Sequence, residues 1–352
     1  LCFSVLEEAN DFLVLQVPFA KSDISMQEDV IEEIMRIDGL DNIPFTGKIN
    51  FSLPTSTEPH SSDIKSIIAQ RLVGKGMHEL FTNSITNSAF YPERTDVVKM
   101  MNSLSAELDS MRPSMLETGL NVIQHNINRK NNQLHLFEFG KTYQQRNNAF
   151  IEKEQLCFYF SGNYQNNTWM EKAKPIDIYF VKGIIDSICE VMKPVYETTA
   201  NGLSILFQNQ PFGYLEKVKE ATRKLFDIKQ EVWFVSLDWK VIEHFYRTNK
   251  MKSKPIPKFP LVERDLAMVL EKNIPYQEVQ KAVKKAKSKL LQKMDVFDVF
   301  ESEKLGTDKK SYAIHLSFYH DERTLTDTEI EQEINAIIDS IETNTGGLIR
   351  KS

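Results

Sequence analysis

The sequence has few cysteines and no long apolar run. Its three cysteines, Cys2, Cys157 and Cys189, are too far apart for a metal motif or a disulfide framework. We therefore expect a reducing, cytoplasmic setting. No run of about 18 apolar residues is present, so neither a transmembrane helix nor a membrane partner is predicted. The N-terminal LCFSVLEEANDF lacks Met and the basic and apolar regions of a signal peptide. We interpret it as the middle of a strand and the chain as a fragment of a longer protein.

A large excess of one charge sign is also missing. The 352 residues carry a formal net charge of −6, with 26% charged and 41% hydrophobic residues. This composition excludes a disordered or collagen-like chain and predicts two or three globular domains. One basic stretch stands out, because Lys281 to Lys293 contains six lysines and no acid. It indicates either a solvated helix face or a face that contacts phosphates.

Two proline-marked stretches, residues 42–62 and 248–260, predict linkers, because proline removes backbone donors and favours extended neighbours. They divide the chain into domains at 1–45, 46–250 and 258–352. The first domain combines a strand at Phe12–Val17 with a helix that begins at Ser25.

That first helix has recognisable ends. Ser25 and Glu28 have the spacing of a capping box, in which each side chain satisfies the other residue's amide. Apolar periodicity continues to about Ile37, and Gly39 suits the C-terminal cap.

The other two domains predict an α+β fold. For the middle domain we expect helices at 63–75, 116–128 and 177–192 and strands at 80–84, 134–139, 155–162 and 232–238. For the last domain we expect strand 265–270, helix 275–291, strands 294–301 and 311–320, helix 327–343 and strand 347–350. This βαββαβ order is the ferredoxin-like arrangement, which RNA-recognition modules also use.

Three carboxylates, Asp29, Glu32 and Glu33, share one face of the first helix, and Asp23 precedes it. Oxygen clusters of this kind suit Mg²⁺, although a solvated acidic face near a helix N-terminus is the alternative. The opposite face is apolar and predicts packing through Val30, Ile31, Ile34, Met35 and Ile37.

Three stretches together resemble a known family. They are VPFAKSDISMQEDVIEEIMRIDGLDNIP at 17–44, MNSLSAELDSMRPSMLETGLNVIQHNINRKNNQLHLFEFGKTY at 101–143, and KFPLVERDLAMVL, MDVFDVFESEKL and ERTLTDTEI between 258 and 330. In this order they resemble the bacterial phenylalanyl-tRNA synthetase β subunit. Residues 193–231 depart from the family pattern.

The resemblance implies an (αβ)₂ heterotetramer of class II type. The α subunit would bind ATP and carry the active site. The β subunit would contribute a catalytic-like antiparallel sheet without catalysis and a ferredoxin-fold domain that binds the anticodon of tRNA-Phe. A free-standing RNA-binding or regulatory protein that reuses these domains is the alternative.

The resemblance also assigns residues. The family's Mg²⁺ pattern, at the contact with the α subunit, matches Asp23, Asp29, Glu32 and Glu33. Arg112 is near the position of a class II motif arginine, but the matching β-subunit stretch packs and does not catalyse, so we predict a structural role.

An Asp-x-Tyr of the family, which reads the wobble guanine, corresponds to Asp298-Val299-Phe300. By strict alternation, Val296 shares their face. The alternative is that Phe300 is core and Asp298 a solvated strand residue. Further RNA-contact candidates are Arg264, Tyr319, Lys284 and Lys285.

Overall fold

The computed structural model describes residues 1–350 except positions 45, 46, 48–50, 52–60, 104, 106, 190, 250–255, 303, 304 and 307. The chain divides into two compact units, Leu1–Asn249 and Lys250–Ser352, which we call unit 1 and unit 2. The division lies in the second predicted linker, residues 248–260. Most of the first predicted linker lies outside the described residues, so a domain boundary between residues 45 and 46 stays a prediction.

Unit 1 begins with a hairpin and a helix. Strand β1 (Ser4–Glu8) pairs antiparallel with strand β2 (Leu13–Gln16), which confirms the strand predicted in this segment. Helix α1 (Gln27–Asp38) follows, and Gly39 caps its C-terminus with a φ of 97°, as expected of glycine.

The N-terminus of α1 differs from the prediction by one position. The Asp29 carboxylate accepts hydrogen bonds from the backbone N–H groups of Ser25 and Met26, at 2.9 and 2.8 Å. The helix therefore begins at Gln27 with Met26 as its N-cap residue, and the predicted box of Ser25 and Glu28 is wrong. Only one half of a capping box forms, because the Asp29 carboxylate reaches back to the free amides while the Met26 side chain accepts no hydrogen bond.

The apolar face of α1 is exposed. No residue of this helix is buried, and Ile31, Ile34 and Ile37 are 53%, 48% and 75% exposed. The prediction that this face packs is therefore wrong for the part of the chain that the structure describes.

The remaining elements of unit 1 follow in chain order. They are α2 (Ser61–Val73), β3 (His78–Glu79), β4 (Ile85–Thr86), β5 (Ser110–Met111), α3 (Leu116–Ile127), β6 (Leu134–Arg146), β7 (Ala149–Ser161), β8 (Asn163–Gln165), β9 (Lys174–Pro175), α4 (Ile178–Cys189), β10 (Val195–Thr198), β11 (Gly202–Phe207), β12 (Gln210–Lys217), α5 (Glu220–Leu225), β13 (Val232–Asp238) and α6 (Trp239–Thr248). A seven-stranded sheet has the order β10-β11-β12-β13-β7-β6-β3, antiparallel except for the parallel pair β3 and β6.

Both faces of this sheet are covered. Along β7, Phe158 and Phe160 belong to a core cluster with residues of α2, α4 and α6, whereas Cys157 and Tyr159 belong to a second cluster with residues of α3. A strand that is buried on both sides needs apolar residues at consecutive positions, and the run LCFYF supplies them.

Two parts of unit 1 differ from the sequence-based expectations. The predicted strand at 80–84 is absent, because the Thr82 N–H donates to the Glu138 side chain at 3.1 Å instead of joining a ladder. Residues 193–231, for which no elements are predicted, form β10, β11, β12 and α5.

Unit 2 has the predicted ferredoxin-like order. Its elements are β14 (Val262–Glu271), α7 (Tyr276–Lys285), β15 (Leu291–Phe300), β16 (Lys309–Phe318), α8 (Asp327–Thr345) and β17 (Leu348–Ile349). The sheet order is β15-β16-β14-β17, and all of its pairs are antiparallel. Both helices pack on one face, where Leu266, Met268 and Ile314 meet Val279 and Ile337. The α+β class and the βαββαβ order are confirmed.

Helix α7 is shorter than predicted. It ends at Lys285, and Lys287 adopts a φ of 52°, which is incompatible with continuing the helix. Lys281, Lys284 and Lys285 are therefore on the helix, while Lys293 is on β15. A single basic face running to Lys293 does not form.

Candidate nucleic-acid interface

The face of the unit 2 sheet opposite the helices is its open face. Residues that pair directly in antiparallel strands have side chains on the same face, so the strand register places these side chains in rows. From β14 through β16 to β15 the rows are Glu263–Ser317–Lys293, Asp265–His315–Asp295, Ala267–Ala313–Asp298 and Val269–Ser311–Phe300.

A β-bulge decides which side chains of β15 reach the open face. Val296 pairs with Ile314 and packs against the core, whereas Asp298 pairs with Ala313, so Phe297 is an extra residue in the strand. The expectation that Val296 shares a face with Asp298 and Phe300 is therefore wrong. Bulges commonly redirect side chains near functional sites, and this one places Asp298 and Phe300 on the face away from the core.

Asp298 and Phe300 are both accessible. The Phe300 side chain is 52% exposed, so the alternative that it belongs to the core is wrong. Asp298 on β15 is followed in its row by Ala313 on β16 and Ala267 on β14, and both alanines are half-buried. The two methyl groups form a flat floor beside the carboxylate, and we call Ala267 and Ala313 the alanine floor.

The next row contains a histidine held by carboxylates. His315 Nδ1 is 2.6 Å from Asp265 Oδ1, and His315 Nε2 is 3.4 Å from Glu263 Oε1. The hydrogen bond with Asp265, followed by that with Glu263, raises the pKa of His315 above its usual value. His315 is not among the candidates predicted from sequence, because its partners are about 50 residues away and only the strand register brings them together.

Arg264 lies on the other face. It pairs with Leu316, a core residue, and its Nη2 donates to Asp327 Oδ1 at 3.2 Å. The structure thus separates Arg264 from Asp298 and Phe300, because an even-numbered position of β14 faces the helix layer.

The other predicted RNA contacts also lie apart from the pair. Lys284 and Lys285 are on α7, on the covered side of the sheet, and Lys285 Nζ donates to Asn344 Oδ1 at 2.6 Å. Tyr319 follows the end of β16, where its N–H donates to the Leu290 carbonyl. Tyr319 is six residues from Ala313, or about 20 Å along an extended chain.

On the open face, Lys293 Nζ is 2.7 Å from Asp295 Oδ2. Lys309, opposite Glu271, has the same parity along β16 as Ala313 and His315, and the Arg350 N–H donates to the carbonyl of Ala267 in the alanine floor.

The four predicted metal ligands have other partners or stand apart. Hydrogen bonds from the backbone amides of Ser25 and Met26 lower the pKa of Asp29. Glu33 forms ion pairs with Lys21 and Arg36, and the Lys21 hydrogen bond is the main reason that the pKa of Glu33 is lowered.

Asp23 and Glu32 are exposed. Within the described residues, no group of three histidine, cysteine or acidic side chains is arranged to hold a metal ion. The donor set as folded does not fit Mg²⁺ in this chain alone, since Asp29 and Glu33 are already engaged. A metal at Asp23, Asp29, Glu32 and Glu33 stays a prediction.

Arg112 in unit 1 has the structural role predicted for it. Its side chain is 2% exposed and that of its partner Glu138 is 1% exposed, with 3.1 Å between Nη1 and Oε1. Arg112 Nε also donates to the Lys141 carbonyl at 2.9 Å, and Nη1 donates to Thr82 Oγ1 at 2.6 Å. Gly140 leaves room for this network, because a Cβ at this position would overlap the side chains of Met115 and Arg112.

A cleft of about 630 Å³ lies near this network, lined among others by Phe81, Asn83, Phe90, Thr118 and Asn121. Arg112 is not among the lining residues. The guanidinium is turned toward Glu138 and is not offered to a phosphate in the cleft.

Comparisons with known proteins find a family match in each unit. The family described as phenylalanyl tRNA synthetase beta chain CLM domain matches residues 50–239, and the ferredoxin-fold anticodon binding domain family matches residues 257–350. These matches place the chain among the aminoacyl-tRNA synthetase proteins. The first match covers more than half of the chain, so the chain belongs to the phenylalanyl-tRNA synthetase β chain family.

Relatives cover nearly the whole chain. It is 31% identical over 376 residues to the phenylalanine–tRNA ligase beta subunit of Porphyromonas gingivalis and 29% identical over 369 residues to that of Listeria monocytogenes. Each alignment includes 98% of this chain and 45% of the relative, so the chain spans about half the length of these relatives.

Among solved structures, the pyrrolysyl-tRNA synthetase of Desulfitobacterium hafniense aligns with a TM-score of 0.41 and 11% identity. The alignment covers 61% of this chain and 77% of that one. Among the described residues, no helix is both long and apolar enough to cross a membrane.

Proposed function

We propose that the chain acts as part of a phenylalanine–tRNA ligase β subunit and binds the anticodon loop of tRNA-Phe on the open face of unit 2. The observation that carries this proposal is the bulge at Phe297, with Asp298 and Phe300 accessible beside the alanine floor. The match of residues 257–350 to an anticodon-binding family supports it.

The chemistry of these two side chains suits a guanine. A carboxylate accepts hydrogen bonds from the N1–H and N2–H₂ groups, and an aromatic ring stacks on the base. Stacking contributes about 1–3 kcal/mol per base. The family resemblance places a tyrosine at the position of Phe300, so this chain keeps the ring and lacks the hydroxyl.

Phosphate contacts would position the RNA without reading its sequence. Lys293 is placed for this on the open face, at one end of β15. Arg264, Lys284 and Lys285 are on the opposite side of the sheet and would serve only phosphates that pass around its edge.

The direct test is substitution of Asp298. We expect Asp298→Ala to weaken binding of a stem-loop with a GAA anticodon by about 1–3 kcal/mol and to reduce discrimination at its guanine. The measurement is the affinity of the 352-residue chain for GAA, AAA and CAA loops at fixed salt. Asp321→Ala removes an exposed acid after β16 and is the matched control. Equal weakening for all three loops would show that Asp298 does not read the base.

We also propose that unit 1 supports a catalytic α subunit in an (αβ)₂ assembly. The whole enzyme would use ATP and Mg²⁺, with ATP bound mainly by the α subunit. The match of residues 50–239 to the β chain family supports this role, and the internal engagement of Arg112 is consistent with it. As folded in this chain alone, the Asp29 and Glu33 carboxylates are engaged by backbone amides and by Lys21 and Arg36, so they do not fit a metal ion.

Association with the α subunit is measurable by co-purification. We expect the chain to retain the α subunit through a size-exclusion column and to show no phenylalanine-dependent ATP–pyrophosphate exchange by itself. Asp29→Ala, Glu32→Ala and Glu33→Ala, combined in one variant, test whether the acidic helix contributes. A chain that binds GAA loops and never retains the α subunit would favour the free-standing RNA-binding alternative.

A further inference from the structure

The open face of unit 2 has a chemical feature that the proposed reading by Asp298 does not use. His315 lies in the middle strand, two residues from Ala313 on the same face, in the row next to that of Asp298. Diagonal neighbours of this kind have Cβ atoms about 7–8 Å apart. The edge of one nucleobase on the alanine floor can therefore lie between both side chains.

The geometry fixes His315 while leaving one nitrogen less engaged. Asp265 holds Nδ1 at 2.6 Å, which orients the ring, whereas Glu263 is 3.4 Å from Nε2, a long contact for a hydrogen bond. Nε2 is therefore the nitrogen that can turn its proton to a ligand. An orienting carboxylate behind one ring nitrogen is a common way to direct the other.

Charge on this face favours an imidazolium. The groups facing His315 are Glu263 and Asp265 from β14 and Asp295 from β15, with Asp298 in the next row. Lys293 is the nearby cation from the described residues of these strands, and it pairs with Asp295. The surrounding carboxylates stabilise the protonated ring and raise its pKa.

We propose that His315, in its protonated form, is a second nucleobase-reading group of this face and makes RNA binding proton-linked. This inference rests on the proposed binding of an anticodon loop at Asp298. Guanine presents donors at N1 and N2 and an acceptor at O6 beside them. The Asp298 carboxylate accepts from the donors, and the His315 imidazolium donates to O6. Adenine has a donor amino group in place of O6, so the imidazolium disfavours it.

The sign of the pH dependence follows from this assignment. The RNA complex stabilises the imidazolium, so binding is tightest below the pKa of His315 and weakens as the pH rises through it. The same shift acts on folding. The stabilising contribution of His315 is fully present below its unfolded pKa of about 6.5 and is lost as the pH rises through the raised folded-state pKa.

The experiment measures the affinity of the full 352-residue chain for GAA and AAA stem-loops between about pH 6 and about pH 8. For the natural chain we expect affinity for the GAA loop to fall roughly tenfold across this range. His315→Gln is expected to bind weakly with a flat profile and to lose preference for GAA over AAA. His315→Arg keeps a permanent cation, so it is expected to bind tightly with a flat profile. His320→Gln, beyond the end of β16, is the matched control and keeps the natural profile.

Thermal unfolding of each variant at each pH separates binding from folding. If the natural chain and His315→Gln show the same pH slope while both bind the GAA loop, the assignment of His315 is overturned and the proposed function stands. If the natural chain binds no loop at any pH, the proposed function falls together with it. A His315→Arg variant that is folded but binds as weakly as His315→Gln would also overturn the assignment.

Discussion

The buried ion pair of Arg112 and Glu138 has a structural role in the central part of unit 1. Arg112 and Glu138 are almost completely removed from solvent, and Thr82 contributes hydrogen bonds to both. A buried pair of this kind contributes little net stability compared with apolar residues, but the loss of one partner leaves an uncompensated charge. The arginine therefore organises the interior of the fold.

We expect Arg112→Met to lower the free energy of unfolding by about 3–5 kcal/mol, because Glu138 would remain buried without its partner. The double variant Arg112→Met/Glu138→Leu is expected to be more stable than the single variant. Urea unfolding of the 352-residue chain measures both. Arg94→Met breaks the more exposed pair with Asp96 and is the control, with an expected loss of about 0–1 kcal/mol. Equal losses for Arg112→Met and Arg94→Met would contradict a buried structural pair.

At the scale of residues, the sequence predicts which side chains are functional candidates better than it predicts which other residues they contact. The position of Asp298 and Phe300 follows from the family resemblance. The apolar residues that alternate along β16 lie in the core, namely Tyr312, Ile314, Leu316 and Phe318. The partners of Arg264 and His315 could not be predicted, because they depend on which residue lies opposite in another strand. Strand register depends on how distant strands pair in the folded sheet, so it could not be predicted from this one sequence.

At the scale of elements, the bulge in β15 has the largest consequence. Val296, Asp298 and Phe300 alternate in sequence, and strict alternation would place all three on one face. The extra residue Phe297 instead leaves Val296 in the core and directs the other two to the open face. An edge strand tolerates such an insertion, because only one neighbouring ladder has to adjust.

This interpretation predicts the result of two deletions. Removing Phe297 eliminates the extra residue and leaves Asp298 opposite Ala313, so affinity for the GAA loop should change by no more than about threefold. Removing Val299 moves Phe300 to the covered face, and loss of its stacking should lower affinity by about tenfold. Circular dichroism confirms that both variants fold. Loss of binding on deletion of Phe297 and retention on deletion of Val299 would contradict the bulge.

Element types were predictable from periodicity, and element ends were less so. The helices at α3 and α4 and the strand β13 are confirmed at the expected places. Helix α7 ends about six residues early, because Lys287 leaves the helical region of backbone conformation and no glycine or proline in the sequence marks this change. Residues 193–231 form a meander whose short strands alternate too weakly to be recognised.

At the scale of the whole molecule, the chain combines two units with different surfaces. Unit 1 contains a sheet that is covered on both faces, and the side chains of Arg112 and Glu138 are buried within it. Within the described residues of unit 2, helices cover one face of the sheet, and the other face presents carboxylates, an imidazole, an aromatic ring and the alanine floor. These surfaces support the two proposals that unit 2 recognises RNA and that unit 1 associates with a catalytic subunit.

The most direct test of this assignment is photo-crosslinking from the first anticodon position. A GAA stem-loop with a photoreactive guanosine analogue at that position would be irradiated with the 352-residue chain, and the modified peptides would be identified by mass spectrometry. We expect adducts on β15 and β16, centred on Asp298, Phe300 and His315, and their loss in the presence of excess unlabelled GAA loop. Adducts confined to α7, α8 or unit 1 would contradict reading of the base on the open face.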